Sequence, residues 1–381
     1  MKGVLKDRKQ REKVGKDPRP IAIATLKNRV VQRAILQVLQ PRKASDERDI
    51  NTKFEPIEGP RLGTINQVNR SRFGVGGLMR PFGGVRPAIK LIMDAMTNGG
   101  DYYYQSDIKA FFTKIPTAGI VTKVRSETGD EKLAALFAKG LEVNLANEDE
   151  LFSYSKLFPS NGTGVAQGSS LSAFAGNVLL FDFDHQLNDM GVTAVRYIDD
   201  LLIVSSSETS LDDAISFSEK YLASFGFSLY PAVAGSDKAA RGKCKTGFNF
   251  LGCMVQTNRC VPSSASRKKV SADVSEAISA SRKAINELVQ QGKQFNPKHS
   301  RSTVIHTLGK KLFGWEKSFA FCTDAQAFKL VDADVAAKVI DYEQWVQRKI
   351  KGLSPDMIML ILGIPITEQL FHADIAKRKA S

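Results

Sequence analysis

Arg196-Tyr197-Ile198-Asp199-Asp200-Leu201-Leu202-Ile203-Val204 sets two adjacent carboxylates between an aromatic on one side and four aliphatics on the other. The apolar runs predict two buried strands meeting at a tight acidic turn. Two carboxylates at the edge of a core repel one another and lose hydration. A cation or hydrogen bonds must offset that cost, and a divalent metal is the simplest compensation. Asp-Asp is also common in plain hairpin turns, so a distant carboxylate has to decide. Tyr102-Tyr103-Tyr104-Gln105-Ser106-Asp107-Ile108-Lys109-Ala110-Phe111-Phe112 supplies one. Aromatics ahead of Asp107 predict a strand, and the apolar residues behind it a strand end turning into a helix, which leaves Asp107 at the mouth of a sheet. An ordinary strand-end aspartate is the other reading. If Asp107, Asp199 and Asp200 converge, they suit two divalent ions about 4 Å apart that activate an attacking oxygen and grip a triphosphate. Carboxylate, carbonyl, phosphate and water ligands favour Mg²⁺.

Tyr197-Ile198-Asp199-Asp200 resembles the YxDD box of reverse transcriptases, and Ser106-Asp107-Ile108-Lys109-Ala110-Phe111-Phe112 resembles their first catalytic box. Gln167-Gly168-Ser169-Ser170-Leu171-Ser172 is similar to the QGxxLS segment before the YxDD box, and Gly247-Phe248-Asn249-Phe250-Leu251-Gly252 to the FLG segment after it. Upstream, Arg19-Pro20-Ile21-Ala22-Ile23 followed by Arg29-Val30-Val31-Gln32-Arg33-Ala34-Ile35-Leu36 resembles the fingers of group II intron-type bacterial enzymes. The resemblance covers roughly residues 13 to 260. It implies an α+β right-hand polymerase: fingers with a basic N-terminal arm over 1–100, a palm with an antiparallel sheet over 101–262 carrying a helical insertion near 118–160, and a helical thumb with a C-terminal extension over 263–381.

The implied activity is RNA-directed DNA synthesis with two Mg²⁺ ions, Mn²⁺ being a substitute. Asp107, Asp199 and Asp200 are the expected catalytic and metal-binding acids, Asp199 ahead of Asp200 as a direct ligand, with the backbone of Ile108 beside them. Arg19 and a preceding lysine, Lys13 or Lys16, are expected on the incoming triphosphate, where a guanidinium fork suits two phosphate oxygens. Phe112 is expected under the nucleotide sugar, where it would clash with a 2′-hydroxyl; an ordinary core phenylalanine would look the same. Phe111 should point the other way and serve packing. Gln167 and Gly168 are expected to position the template and nucleotide at a helix N-terminus. Lys238 and Lys243 lie where relatives place a lysine near the leaving pyrophosphate. The Ala- and Gly-rich loop around them leaves that choice open, and a surface lysine is the plain reading.

At 43% hydrophobic and 25% charged over 381 residues, the composition is that of a globular protein with a sizeable core. No apolar run reaches the roughly 20 residues that span a bilayer, so a cytoplasmic protein without membrane contact is expected. Net charge of +14 points to a polyanionic partner. The first 43 residues are dense in Lys and Arg against only Asp7, Glu12 and Asp17, which predicts a flexible basic arm tracking phosphates. Asn66 to Arg86, rich in Gly and Arg, is expected to contact template or to form a mobile surface loop. Val30–Leu39, Ile89–Met96, Lys132–Leu141, Val270–Val289 and Ser302–Phe321 are predicted helices. Trp315 is expected in a core and His185 in packing or at the surface. The tail ends in a basic cluster, Lys377, Arg378 and Lys379. The four cysteines form no CxxC pairs, so reduced thiols without zinc are expected.

No Cys/His-rich endonuclease module or ribonuclease H acid cluster is recognisable. What remains is similar to compact bacterial reverse transcriptases of phage defence, which work with a dedicated non-coding RNA. RNA template, DNA product and deoxynucleotides are the expected partners, with an accessory protein or a second copy of the chain beside them. An RNA-dependent RNA polymerase and a non-catalytic RNA-binding scaffold are the rival readings.

Overall fold

A computed structural model describes residues 1–13, 15–44, 53–160, 162–368, 370–372 and 375. The basic cluster Lys377, Arg378 and Lys379 therefore lies outside the described residues. The chain divides into two compact units, Met1–Gly247 and Phe248–Ser381.

The first unit is built on a four-stranded antiparallel sheet in the order Thr193–Tyr197, Asp200–Ser205, Tyr102–Asp107, Ala239–Lys243. The Leu201–Val204 run is buried throughout because both faces of the sheet are covered. Leu201 and Ile203 join one large apolar cluster with Phe174, Val178 and Phe183 of the helix Ser170–Asp189 and Leu211 and Ala214 of the helix Glu208–Ala223. Leu202 and Val204 face the other way by strand alternation, toward the helix Val85–Thr97. Serine caps start both helices of the large cluster, Ser169 Oγ accepting from Leu171 N and Ser207 Oγ from Ser210 N.

The basic N-terminus is ordered, contrary to the flexible arm expected from its charge. Lys2–Lys6 pairs antiparallel with Arg19–Ile23, and a Cβ on Gly3 would come within 2.6 Å of Leu151 Cδ1. Asn147 secures the same point, its side chain accepting from Gly3 N at 2.7 Å and donating to Gly3 O at 3.1 Å. Strand pairing satisfies backbone groups that a solvated arm would leave to water.

In the second unit a three-stranded antiparallel sheet, Phe248–Phe250, Cys253–Gln256 and Arg259–Pro262, precedes the helices Ser264–Gln291, Arg301–Phe319 and Gln326–Ile350. Val270, Val274, Ile278, Ile285 and Leu288 repeat at helical spacing and form its core with Val304, Leu308, Val331 and Tyr342. Trp315 packs here, its ring centroid 5.4 Å from those of Phe319 and Phe328. Among the described residues no helix is long and apolar enough to cross a membrane.

Candidate active site

Two acids ninety positions apart meet because strand register places them there. Asp107 closes Tyr102–Asp107 and lies directly opposite Asp200, the first residue of its neighbour. The hairpin turn carries Asp199 beside them, and its carbonyl accepts from Ile108 N at 2.8 Å. Ile108 thus enters the site through its backbone, while its side chain is 2% exposed. Ser106, one residue back on the strand, is buried and holds the Tyr230 backbone from below, accepting from Tyr230 N at 2.9 Å.

The turn is strained and tightly supported. Ile198 has φ 64°, a left-handed conformation costly for a β-branched residue. Arg196 Nη1 donates to its carbonyl at 2.9 Å. Gly76 packs so close that an added Cβ would sit 2.4 Å from Ile198 N. Below lies an ion pair excluded from water: Arg196, fully buried, donates to Asp184 through Nε at 2.9 Å and Nη2 at 2.6 Å, and to Asn177 Oδ1 at 3.2 Å. Asn177 in turn donates to Gly76 O at 2.7 Å. Burial raises the Asp184 carboxyl, and the charge and hydrogen bonds of the Arg196 guanidinium offset only part of that rise.

Here the Asn66–Arg86 expectation needs correction. Ser71, Gly74, Val75, Gly76 and Leu78 are buried, and Val75 N donates to Arg196 O at 2.9 Å. At Gly74 a Cβ would fall 2.3 Å from Asp184 Oδ2. The glycines at 74 and 76 thus let backbone close over the Arg196–Asp184 pair and the Ile198 turn rather than over a phosphate chain, while Arg72 and Arg80 of the same segment stay exposed.

The acids are out of electrostatic balance. Asp200 is raised to about 8, by burial first, then by a hydrogen bond shared with Asp107 and the charges of Asp107 and Asp199. Asp199 is raised as well, chiefly by burial. The site supplies one cation of its own, since Lys238 Nζ ion-pairs with Asp107 Oδ2. Burial lowers the Lys238 ammonium, yet the hydrogen bond and charge of Asp107 outweigh it, and its pKa ends above the usual lysine value. The three carboxylates do not form a group with ligand atoms all within 4.8 Å of one another. Among the described residues, the one group of three such ligands within 4.8 Å of one another is made of cysteines. Partly buried carboxylates at Asp199 and Asp200, raised by burial and by the neighbouring Asp107 charge, beside an Asp107 that already holds an ammonium, fit a hard divalent cation.

A pH dependence follows. Folded Asp200 holds its proton more tightly than the unfolded chain does. Its contribution to stability is complete below the ordinary carboxylate range and is lost as pH rises toward about 8. Without divalent cations, the melting temperature should fall across that window. Saturating Mg²⁺ should flatten the slope by favouring the ionised carboxylates, and Asp200→Asn should flatten it without metal. An unchanged slope in Asp200→Asn would assign the dependence elsewhere.

Backbone contacts draw in the other expected residues. Ala22 N donates to Gln167 O at 3.2 Å, joining the Arg19–Ile23 strand to the start of the helix Ser170–Asp189. Gly168, at φ 104°, takes a turn that suits only glycine. Val165 N donates to Phe112 O at 2.7 Å, so Phe112 adjoins the same segment. Phe112 is half-buried and Phe111 is 2% exposed; both lie in the short helix Phe111–Lys114 with ring centroids 5.5 Å apart, so the opposite facing expected from strand alternation is not found. Arg19, Lys13 and Lys16 are exposed, and Lys16 Nζ reaches Asp237 Oδ2 at 3.2 Å, next in sequence to Lys238. Lys243 instead lies over the Tyr102 ring at 5.8 Å. His185 packs against Phe73 and Phe181. Sequence reading left Lys238 undecided and overlooked Arg196 and Asp184. Lys238 is placed by the return of a distant strand, and a buried arginine carries no local signature.

Acids at a hairpin turn and at the adjoining strand end of a helix-backed antiparallel sheet define the palm of a right-hand polymerase. Residues 9–255 match the family described as reverse transcriptase (RNA-dependent DNA polymerase), and the chain belongs to that family. It is 23% identical over 172 residues to the protein YkfC of Escherichia coli (strain K12), a match covering 45% of this chain and 38% of that protein. Telomerase from Candida albicans, solved with a TWJ fragment of telomeric RNA, aligns at 12% identity with a TM-score of 0.34, over 86% of this chain and 66% of that one. The chain thus spans less than two thirds of the length of either.

Proposed function

We propose that the chain is an RNA-directed DNA polymerase that joins deoxynucleotides to a primer hydroxyl on an RNA template. The observation that carries this reading is the register pairing of Asp107 with Asp200 beside the Asp199 turn. Asp107, Asp199 and Asp200, with the Ile108 carbonyl, would hold the divalent cations, Mg²⁺ being favoured by an all-oxygen donor set. Such ions supply Lewis-acid activation of the attacking oxygen and charge stabilisation of the leaving one. Arg19 and Lys16 or Lys13 orient the triphosphate, Gln167 and Gly168 the templating strand, and Phe112 excludes a 2′-hydroxyl. Lys238, paired with Asp107 here, would be freed by cations bound at that carboxylate and could then face the leaving pyrophosphate. Fingers over 1–100, palm over 101–262 and thumb over 263–381 are the lobes assigned on this reading.

Primer extension by the purified chain on an RNA template tests it. Deoxynucleotide incorporation is expected. Incorporation of ribonucleotides instead would make the chain an RNA polymerase, and RNA binding without synthesis of either kind would make it a scaffold. Phe112→Ala should raise the ribonucleotide share about ten- to a hundredfold, since the clash of a single side chain carries the discrimination. An unchanged ratio would remove Phe112 from the sugar pocket.

The subclass we propose is the bacterial, group II intron-like one, on the strength of the Arg19–Ile23 and Arg29–Leu36 segments, working with a dedicated non-coding RNA in phage defence. Sequencing the RNA that co-purifies tests the partner. Phage plating on cells carrying the chain or its Asp199→Ala variant tests the role, with equal plating counting against defence.

A further inference from the structure

Three of the four cysteines, set apart in sequence, come together in the second unit. Cys253 and Cys260 lie on neighbouring strands. Val255 is directly opposite Cys260, and Cys253 shares the Val255 face, so the two thiols are diagonal neighbours on one side of the sheet. Cys322 follows the helix Arg301–Phe319 and is held over them by the segment it belongs to. Thr323 N donates to Cys260 O at 2.8 Å, Cys260 N donates to Thr323 Oγ1 at 2.9 Å, and Arg259 makes two bonds to Asp324 Oδ2 at 3.1 and 2.8 Å. The Cys260 and Cys322 sulfurs are 3.8 Å apart, and all three sulfurs lie within 4.8 Å of one another.

That spacing has a chemical meaning. Sulfurs about 2.3 Å from a shared ion stand about 3.8–4.0 Å apart, whereas a disulfide requires about 2.05 Å. Cys253 and Cys260 are completely buried and Cys322 partly exposed, so the site is dry on two sides and open on one. Thiolate sulfur selects soft ions. We propose that Cys253, Cys260 and Cys322 bind one thiophilic metal ion, Zn²⁺ or Cu⁺, which clips the Phe248–Pro262 sheet to the turn between Arg301–Phe319 and Gln326–Ile350. A solvent ligand entering beside Cys322 completes the zinc case, and three sulfurs alone suffice for copper. Sequence spacing gave no hint of the site, because its third ligand arrives from beyond two long helices.

The test uses the full chain, purified under reductant without chelator and assayed for metal by mass spectrometry, which also distinguishes zinc from copper. Roughly one equivalent per chain is expected, falling below about a tenth in Cys260→Ser and Cys322→Ser and unchanged in Cys244→Ser, whose thiol lies in the other unit. X-ray absorption on the unsubstituted protein covers the case in which the serine variants misfold, and should show three sulfur scatterers at about 2.3 Å. A light-atom shell overturns the site. So does equal Zn²⁺ and Cu⁺ affinity in the chain and in Cys322→Ser, or a Cys260–Cys322 disulfide persisting under reductant.

Discussion

Asp199→Ala and Asp107→Ala should each reduce nucleotide incorporation by at least about a thousandfold with RNA binding retained, and Asp199→Ala should leave the melting temperature close to that of the unsubstituted chain. Removing one donor to charge developing in a transition state typically costs a hundred- to a thousandfold, and these acids would organise both the attacking and the leaving oxygen. Stability is spared for a specific reason. Burial raises Asp199 most and the Asp107 charge adds to it, so at Asp199 alanine removes a desolvation cost and a repulsion that offset the loss of one backbone hydrogen bond. The informative readout is the separation of the two effects: full-length RNA complexes in a gel shift beside a silent primer-extension lane. Measurable synthesis by the Asp107→Ala, Asp199→Ala double variant would remove the acids from the chemistry.

Arg196→Met should destabilise the chain by about 3–5 kcal/mol, the cost of leaving a buried charge without its partner. The pair is sealed, with side-chain exposures of 0% for Arg196 and 3% for Asp184, so water cannot compensate. Pairing Arg196→Met with Asp184→Leu should recover most of that loss, because apolar residues of similar volume tolerate the site better than one orphaned carboxylate. Activity should not return with it, since Arg196 also holds the Ile198 carbonyl and with it the left-handed turn. Denaturant unfolding supplies the energies. A single-variant loss below about 1 kcal/mol would show that the pair is not the support described here.

Much of this was legible in the residues alone. The acidic turn, the strand ending at Asp107, the helix after Gln167-Gly168 and the helix expected over Val270–Val289, found as Ser264–Gln291, follow from alternation and helical period, both local signals. What escaped depends on contacts between distant segments. The glycines at 74 and 76 looked like loop flexibility because sequence does not show that Asp184 and Ile198 press against them. The N-terminal charges looked like a flexible arm because local sequence does not show that Lys2–Lys6 pairs with Arg19–Ile23 or that Asn147 binds the Gly3 backbone. Lys238 and the Cys253–Cys260–Cys322 cluster were hidden for the same reason.

Placing the acids by pairing across the sheet also sets an order of assembly. During translation Asp107 leaves the ribosome long before the strand that must lie opposite it, and until Asp200–Ser205 docks against Tyr102–Asp107 there is half a centre with nothing to grip. A nascent chain that has not yet made Asp200–Ser205 therefore lacks the pairing of Asp107 with Asp200, which forms only with the closing of the sheet.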